Sequence, residues 1–295
     1  MKKSSLGTRL LVHGILGAIC IATIIPMILS LSVSLTSTQA LAAGGYRFFP
    51  REFSLMAYEW ILRYPQSLIT GYSNSIFITL VGTALNLAVT ALVAYPLSLK
   101  RFKYRELISK YIFFTMIFSG GMVPLYILVV RYLGWKNQLA SLIFPALAAP
   151  FNIFLMRIFM QEIPESLTES AKLDGASEYQ IFLKIIAPLS KPGLATVAMM
   201  IALKYWNESF DAILYIDKAP KFPVQLVLNN IVSIVNNIKM SNTMPGSVYT
   251  IDPTTVPSDT IMFAMMVLSS LPMVFLFTFF QKYFVKGMVT GAVKG

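Results

Sequence analysis

The sequence is poor in the residues from which most catalytic and metal sites are built. Its 295 residues include one cysteine, Cys20, and one histidine, His13. A lone cysteine excludes an intrachain disulfide, and a lone histidine excludes a histidine metal cluster. Both are expected to be buried and inert. Charge is scarce too: Asp, Glu, Lys and Arg make up 13% of the chain, against about 25% in a soluble domain. No G-x-x-x-x-G-K-[ST] phosphate loop, H-E-x-x-H, G-x-S-x-G or Cys-x-x-Cys motif is present. The sequence therefore predicts that this chain does not hydrolyse ATP and carries no active site of those kinds.

Apolar residues are what the chain has in abundance, at 56% of the total with a mean hydropathy of +0.67. Lipid is the solvent such a composition suits. Six runs are long enough to span about 30 Å of hydrocarbon, near 10–35, 72–98, 109–133, 138–160, 193–216 and 260–283. The expectation is an all-α membrane protein, one transmembrane domain over 1–295. The first run follows Lys2, Lys3 and Arg9, and Ala40-Leu41-Ala42 imitates a signal cleavage site. Its length, about 26 residues, exceeds the 7–15 of a signal core and favours an uncleaved span.

The net charge of +11 does not point to nucleic acid, because the cations cluster beside the apolar runs as topology signals do. With the N-terminus inside, the inner segments hold 15 of the 24 Lys and Arg and the outer segments 8, with Lys204 inside a span. That bias places both termini in the cytoplasm. Two outer segments, about 36–71 and about 217–259, are long enough to carry structure or function of their own. They are expected to form an external cap or docking surface.

One inner segment is unlike its surroundings. The stretch 165-ESLTESAKLDGASEYQIFLKIIAPLSKP-192 is polar and lies between two spans, within an inner loop at 161–192. Pro164 suits the first turn of a helix, and Glu165 and Glu169 lie near its positive end. Gly175 can adopt the left-handed conformation that ends such a helix. Ser177 and Gln180 fit the S/T-x-x-E/Q capping pattern and restart a second one. Tyr179, Phe182 and Ile186 then form an apolar stripe that predicts a partner surface, or failing that a lipid interface.

These residues carry a family resemblance. Glu169-Ser170-Ala171, three residues, Gly175, nine residues and Ile185-Ile186-Ala187-Pro188 resemble the E-A-A-x3-G-x9-I-x-L-P loop of ABC importer permeases. Ser170 stands for an alanine and Ala187 for a leucine. The segments 94-AYPLSLKRF-102, 117-IFSGGMVPLY-126, 205-YWNESFDAILYI-216 and 281-QKYFVKGMVTGAVKG-295 resemble the carbohydrate-uptake branch, maltose-permease-like and LplC-like, in its smaller six-span subunit. The resemblance implies a six-helix permease fold whose coupling helix fits a cleft of a cytoplasmic ATPase. By resemblance, Glu169, Ala171, Gly175, Ala176, Ile185 and Pro188 form that coupling site. The implied partners are a second permease, two ATP-binding subunits that hold ATP and Mg, an extracytoplasmic solute-binding protein, the bilayer and a carbohydrate substrate. No cofactor is implied for this chain, and the implied location is the bacterial plasma membrane.

The fifth run supplies a candidate path. Lys204, Asn207, Glu208 and Asp211 occupy i, i+3, i+4 and i+7, which makes one helical face polar. A lone charge at mid-helix costs about 2.5–3.5 kcal/mol to insert, so this face should avoid lipid. With Trp206 beside it, the sequence predicts that Trp206, Asn207, Glu208 and Asp211 line a sugar path. A Lys204–Glu208 pair with interhelical hydrogen bonds is the structural alternative. Ser119-Gly120-Gly121 with Pro124, and Pro145 with Pro150, interrupt the third and fourth runs, and Asn86 and Asn152 are lone amides. An ion-coupled secondary carrier, a membrane scaffold and a peptide importer are the rival functions.

Overall fold

The computed structural model describes residues 6–63, 65–243 and 258–292. Regular structure among them is helical, apart from one antiparallel bridge between Thr36 and Phe53. The described residues divide into two compact units, one within 1–65 and 228–271 and the other within 66–227 and 272–295.

The first unit opens with α1 (Leu6–Ser34). Its most apolar stretch has a hydropathy of 2.4 and is 0% buried, so only lipid or another apolar partner suits it as surroundings. His13 and Cys20 lie on this helix and are exposed. The expectation of buried residues fails because this stretch of α1 is exposed, and burial begins only at its C-terminal end, at Ser32, Val33 and Ser34. The segment that follows is structured, as an external cap requires. Ser37 caps α2 (Thr38–Gly44) by accepting the Ala40 amide at 3.1 Å. Beside the Thr36–Phe53 bridge, the Ser37 amide donates to Glu52 O at 3.0 Å and the Ser54 amide to Leu35 O at 2.9 Å. The chain then enters α3 (Met56–Ile61), where Ile61 is fully buried.

The second unit is built around α4 (Pro65–Ser98), which begins earlier than the expected start near residue 72. Its buried face is small and polar: Gly71, Ser75, Thr79, Gly82, Asn86 and Thr90. Small residues of this kind let helices approach closely in lipid, where no hydrophobic effect drives them together. Asn86 donates its amide to Ala146 O at 2.6 Å and accepts from Thr90 Oγ1 at 3.1 Å, which settles the facing of that lone amide.

Four shorter helices follow: α5 (Arg105–Ile117), α6 (Met122–Ile127) running into a π-turn at Leu128–Tyr132, α7 (Ala140–Ile143) and α8 (Pro150–Gln161). The interruptions fall where glycine and proline predict them. α5 and the segment from α6 to Tyr132 bend by 105° across the break at Phe118–Gly121, and the α7 and α8 segments bend by 53° before Pro150. Asn137, the one described non-glycine residue with positive φ (61°), links distant loops. Its side-chain oxygen accepts the Asp217 and Lys218 amides at 2.6 and 3.1 Å.

The remaining elements of this unit are α9 (Glu165–Leu173), α10 (Glu178–Ile181), a π-turn at Phe182–Ile186, α11 (Ala187–Leu189), α12 (Lys191–Asn207) and α13 (Phe210–Tyr215). The fifth expected span, 193–216, is therefore not one helix. Two further helices are α14 (Val224–Thr243), where the sequence predicted an outer loop, and α15 (Ser258–Ala292). Most of the Pro- and Thr-rich stretch 252–259 lies outside the described residues. Three helices are long and apolar enough to cross a membrane alone, and three bent pairs qualify when each is taken together, which allows up to six spans.

Gly82 marks the closest approach between α4 and α12. A Cβ there would lie 2.8 Å from the Tyr205 ring. The ring cannot retreat freely, because its hydroxyl donates to Ile143 O at 2.9 Å in the interior. Gly82→Ala is expected to destabilise the fold by about 1–3 kcal/mol through overpacking. A lowered thermal midpoint of the purified protein checks this, and Gly120→Ala, where a Cβ meets nothing within 4 Å, is the control expected to change little.

Candidate functional site

The polar loop forms the helix–turn–helix that its sequence predicts, with one shift. Pro164 is the N-cap of α9 rather than its first helical residue (φ −58°, ψ 129°). The helix ends in a Schellman turn. The Gly175 amide donates to Lys172 O at 3.0 Å and the Ala176 amide to Ala171 O at 2.9 Å, with Gly175 at φ 82°. Only glycine takes that conformation without strain, and the two bonds satisfy carbonyls that the helix end would orphan. The second helix then starts on a capping box. The Ser177 amide donates to Gln180 Oε1 at 2.9 Å and the Gln180 amide to Ser177 Oγ at 3.3 Å.

The apolar stripe is divided. Phe182 and Ile186 are buried with Ile181 in the core cluster, and only Tyr179 is exposed. The split falls at the start of the π-turn: Tyr179 on α10 faces outward, while Phe182 and Ile186, the first and last residues of the turn, face the core. The face left open is carried by Leu173, Tyr179 and Leu183. Leu173, 91% exposed, is the most exposed large apolar side chain among the described residues.

Of the coupling residues inferred from the resemblance, Glu169, Gly175 and Pro188 are exposed and Ala171, Ala176 and Ile185 are half-buried. Ala171 and Ala176 pack against the core cluster. Glu169 joins Glu165, Thr168, Leu99, Lys100 and Arg101 around a cavity of about 130 Å³.

A group that the sequence reading passed over holds this loop to the membrane helices. Glu178 accepts from the Tyr95 hydroxyl of α4 at 2.8 Å, from Arg101 at 3.1 Å and from Lys172. Partial burial pushes its carboxyl up. The hydrogen bonds from Lys172 and Tyr95, with the charges of Lys172 and Arg101, outweigh that and hold it below the ordinary carboxylate value. Lys100 and Glu165 form a second link at 3.4 Å. The only hint of Glu178 in the sequence is its place beside the cap, because Tyr95 lies 83 residues away.

The candidate path residues do not share one helical face. α12 ends at Asn207, Glu208 is extended (ψ 112°), and its Oε1 accepts the Asp211 amide of α13 at 2.9 Å. A side chain that caps the next helix competes with continuation of the first. Lys204 and Asn207 are exposed, while Glu208 and Asp211 are half-buried. Asp211 feels the charges of both Glu208 and Lys204. Trp206, expected beside the path, is 2% exposed, with its ring 6.2 Å from that of Tyr72.

Because the Glu178 value is depressed in the folded chain, its stabilising effect is present above the unfolded carboxylate value and is lost as pH falls through the folded one. The wild-type thermal midpoint is expected to fall as acid approaches that value. Glu178→Gln is expected to lose about 1 kcal/mol at neutral pH, after solvent screening, and to be less sensitive to acid. Midpoints of the two proteins recorded across the acid range check both expectations.

Comparison with known proteins identifies the family. The family described as binding-protein-dependent transport system inner membrane component matches residues 89–290. Protein LplC of Bacillus subtilis (strain 168) is 39% identical over 282 residues, 95% of this chain and 92% of that one. The polygalacturonan/rhamnogalacturonan transport system permease protein YtcP of the same organism is 34% identical over 286 residues, covering 97% and 98%. A crystal structure of a bacterial ABC transporter involved in the import of the acidic polysaccharide alginate superposes with a TM-score of 0.76. Its identity is 30%, and the match covers 96% of this chain and 100% of that one. With an all-helical fold and an exposed polar loop between apolar segments, this chain belongs to the binding-protein-dependent transport system inner membrane components, the permeases of ABC importers.

Proposed function

We propose that this chain is the membrane-spanning subunit of an ATP-driven importer of carbohydrate, an oligosaccharide or polysaccharide fragment. The observation that carries the reading is near-full-length likeness to a permease named for polygalacturonan and rhamnogalacturonan transport and to the alginate importer. In this reading the chain is not itself an enzyme. It pairs with a second permease in the bacterial plasma membrane, with two ATP-binding subunits beneath and a solute-binding protein outside. The excess of cations on the inner segments supports cytoplasmic termini.

The loop geometry supports a lever. α9 offers exposed Glu169 and Leu173 to the ATP-binding subunit, while Ala171 on the helix and Ala176 in the turn after it pack on the core. The turn at Gly175 and the contacts of Glu178 fix α9 to α10. The segment Glu178–Leu189 meets α12 at 81°, anchored by buried Ile181, Phe182 and Ile186. A displacement of α9 is therefore passed to α12 by packed side chains rather than absorbed in a slack loop. ATP-driven closure of the partner pair would move the lever, and release after hydrolysis would return it. The switch comes from contacts that differ between the two states. At the far end of α12, Asn207, Glu208 and Asp211 line the sugar path in this reading. Buried Trp206 backs them.

The test is the assembled transporter in liposomes. Leu173→Glu places a charge in a desolvated contact and is expected to cut both uptake and co-purified ATP-binding subunit at least about tenfold. Asn207→Ala and Glu208→Ala are expected to leave assembly intact while lowering uptake. Normal uptake in all three variants would contradict the reading. Uptake that persists without nucleotide and collapses with an uncoupler would favour an ion-coupled carrier.

A further inference from the structure

We propose that a basic groove between the start of α5 and the end of α8 binds the phosphate headgroup of an anionic phospholipid. The groove encloses about 580 Å³, and its lining includes Lys100, Arg101, Lys103, Arg105, Lys110 and Arg157 with a single carboxylate, Glu106. Cations beside a span are ordinary topology signals. These differ in being gathered from three segments of the chain into one concavity.

Their partners set them apart further. Lys100 and Arg101 are engaged by Glu165 and Glu178. Lys103, Arg105, Lys110 and Arg157 have no carboxylate partner among the described residues. Arg157 is half-buried, and its one hydrogen bond goes to the neutral Ser109 hydroxyl at 3.0 Å. A partly desolvated guanidinium next to another cation, Arg105, is uncomfortable unless an anion neutralises both. The end of α5 points the same way. Its N-cap, Tyr104, makes no side-chain cap bond, so the positive helix end adds to the field of the cations.

A lipid fits better than a soluble anion or an acidic protein surface because the groove continues into an apolar track. Phe113, Met116 and Ile117 follow at i+4, i+7 and i+8 from Ser109, on the face of α5 that lines the groove, and all three are exposed. A headgroup seated among the cations would lay its acyl chains along this track. The proposal does not depend on what the transporter carries.

The experiment compares the assembled transporter with an Arg105→Gln/Lys110→Gln double variant, both in nanodiscs of phosphatidylcholine with a minority of phosphatidylglycerol. Acidic lipid retained per complex is measured by native mass spectrometry. Each cation at an anionic lipid surface is worth about fivefold in binding, so the double variant is expected to bind roughly 25-fold more weakly. Arg157 is left in place because its bond to Ser109 joins two helices. If the double variant fails to assemble, Lys110→Gln alone is expected to show about a fivefold loss. Retention that is equal in wild type and variants overturns the proposal. So does displacement of the lipid by millimolar inorganic phosphate, which would mark a site for free anions. Loss of the ATP-binding subunit with lipid retention unchanged overturns it as well, and would mark a protein contact.

Discussion

The architecture depends on how a polar loop is fastened to helices that cannot themselves hold charge cheaply. Many exposed side chains among the described residues are large and apolar, and a charged loop between apolar segments has little to grip there. Glu178 solves the problem with one carboxylate that accepts from Tyr95, Arg101 and Lys172. The tyrosine comes from the C-terminal end of α4, the arginine from the turn after it and the lysine from α9. Three separate pieces of chain therefore meet at a single side chain. Beneath it, Ile181, Phe182 and Ile186 sink into the core and provide the packing that hydrogen bonds alone would not.

That fastening gives the loop its mechanical character. A Schellman turn and a capping box stand back to back between α9 and α10, separated by no free residue. Each satisfies backbone groups that would otherwise favour fraying. The joint is short and fully hydrogen-bonded, so force applied to α9 has little slack to take up before it reaches α12. The far end of α12 is less regular. There Glu208 leaves the helix and caps α13, which creates a polar break in an apolar span. Broken helices near the middle of a membrane are found where backbone lines a cavity or is covered by protein.

Much of this was legible in the residues, where local chemistry decides the outcome. The breaks at Gly120-Gly121 and before Pro150, the turn at Gly175 and the Ser177–Gln180 box follow from residue types that act within a few positions. What could not be read depends on distant or competing partners. Glu178 looks like an ordinary first-turn acid until Tyr95, remote in sequence, is brought beside it. The helix break after Asn207 has no glycine or proline to announce it, since it arises from a side chain competing with the backbone. The stripe of Tyr179, Phe182 and Ile186 shows three apolar residues at helical spacing, but not that the core takes Phe182 and Ile186 and leaves Tyr179 outside. α14, apolar over Val224–Ile234, was hidden by its Asn pairs and by the polar stretch that follows it in sequence.

The central claim is that the loop is a handle gripped from the cytoplasm by a nucleotide-driven partner. The most direct measurement places a photo-crosslinking residue at exposed Ser177 in the intact assembly, in membrane vesicles of known orientation. The account predicts capture of an ATP-binding protein, in a yield that changes when nucleotide is added, and access by impermeant reagents only from the inner side. Capture of no such protein, or labelling from the outer side, would contradict it.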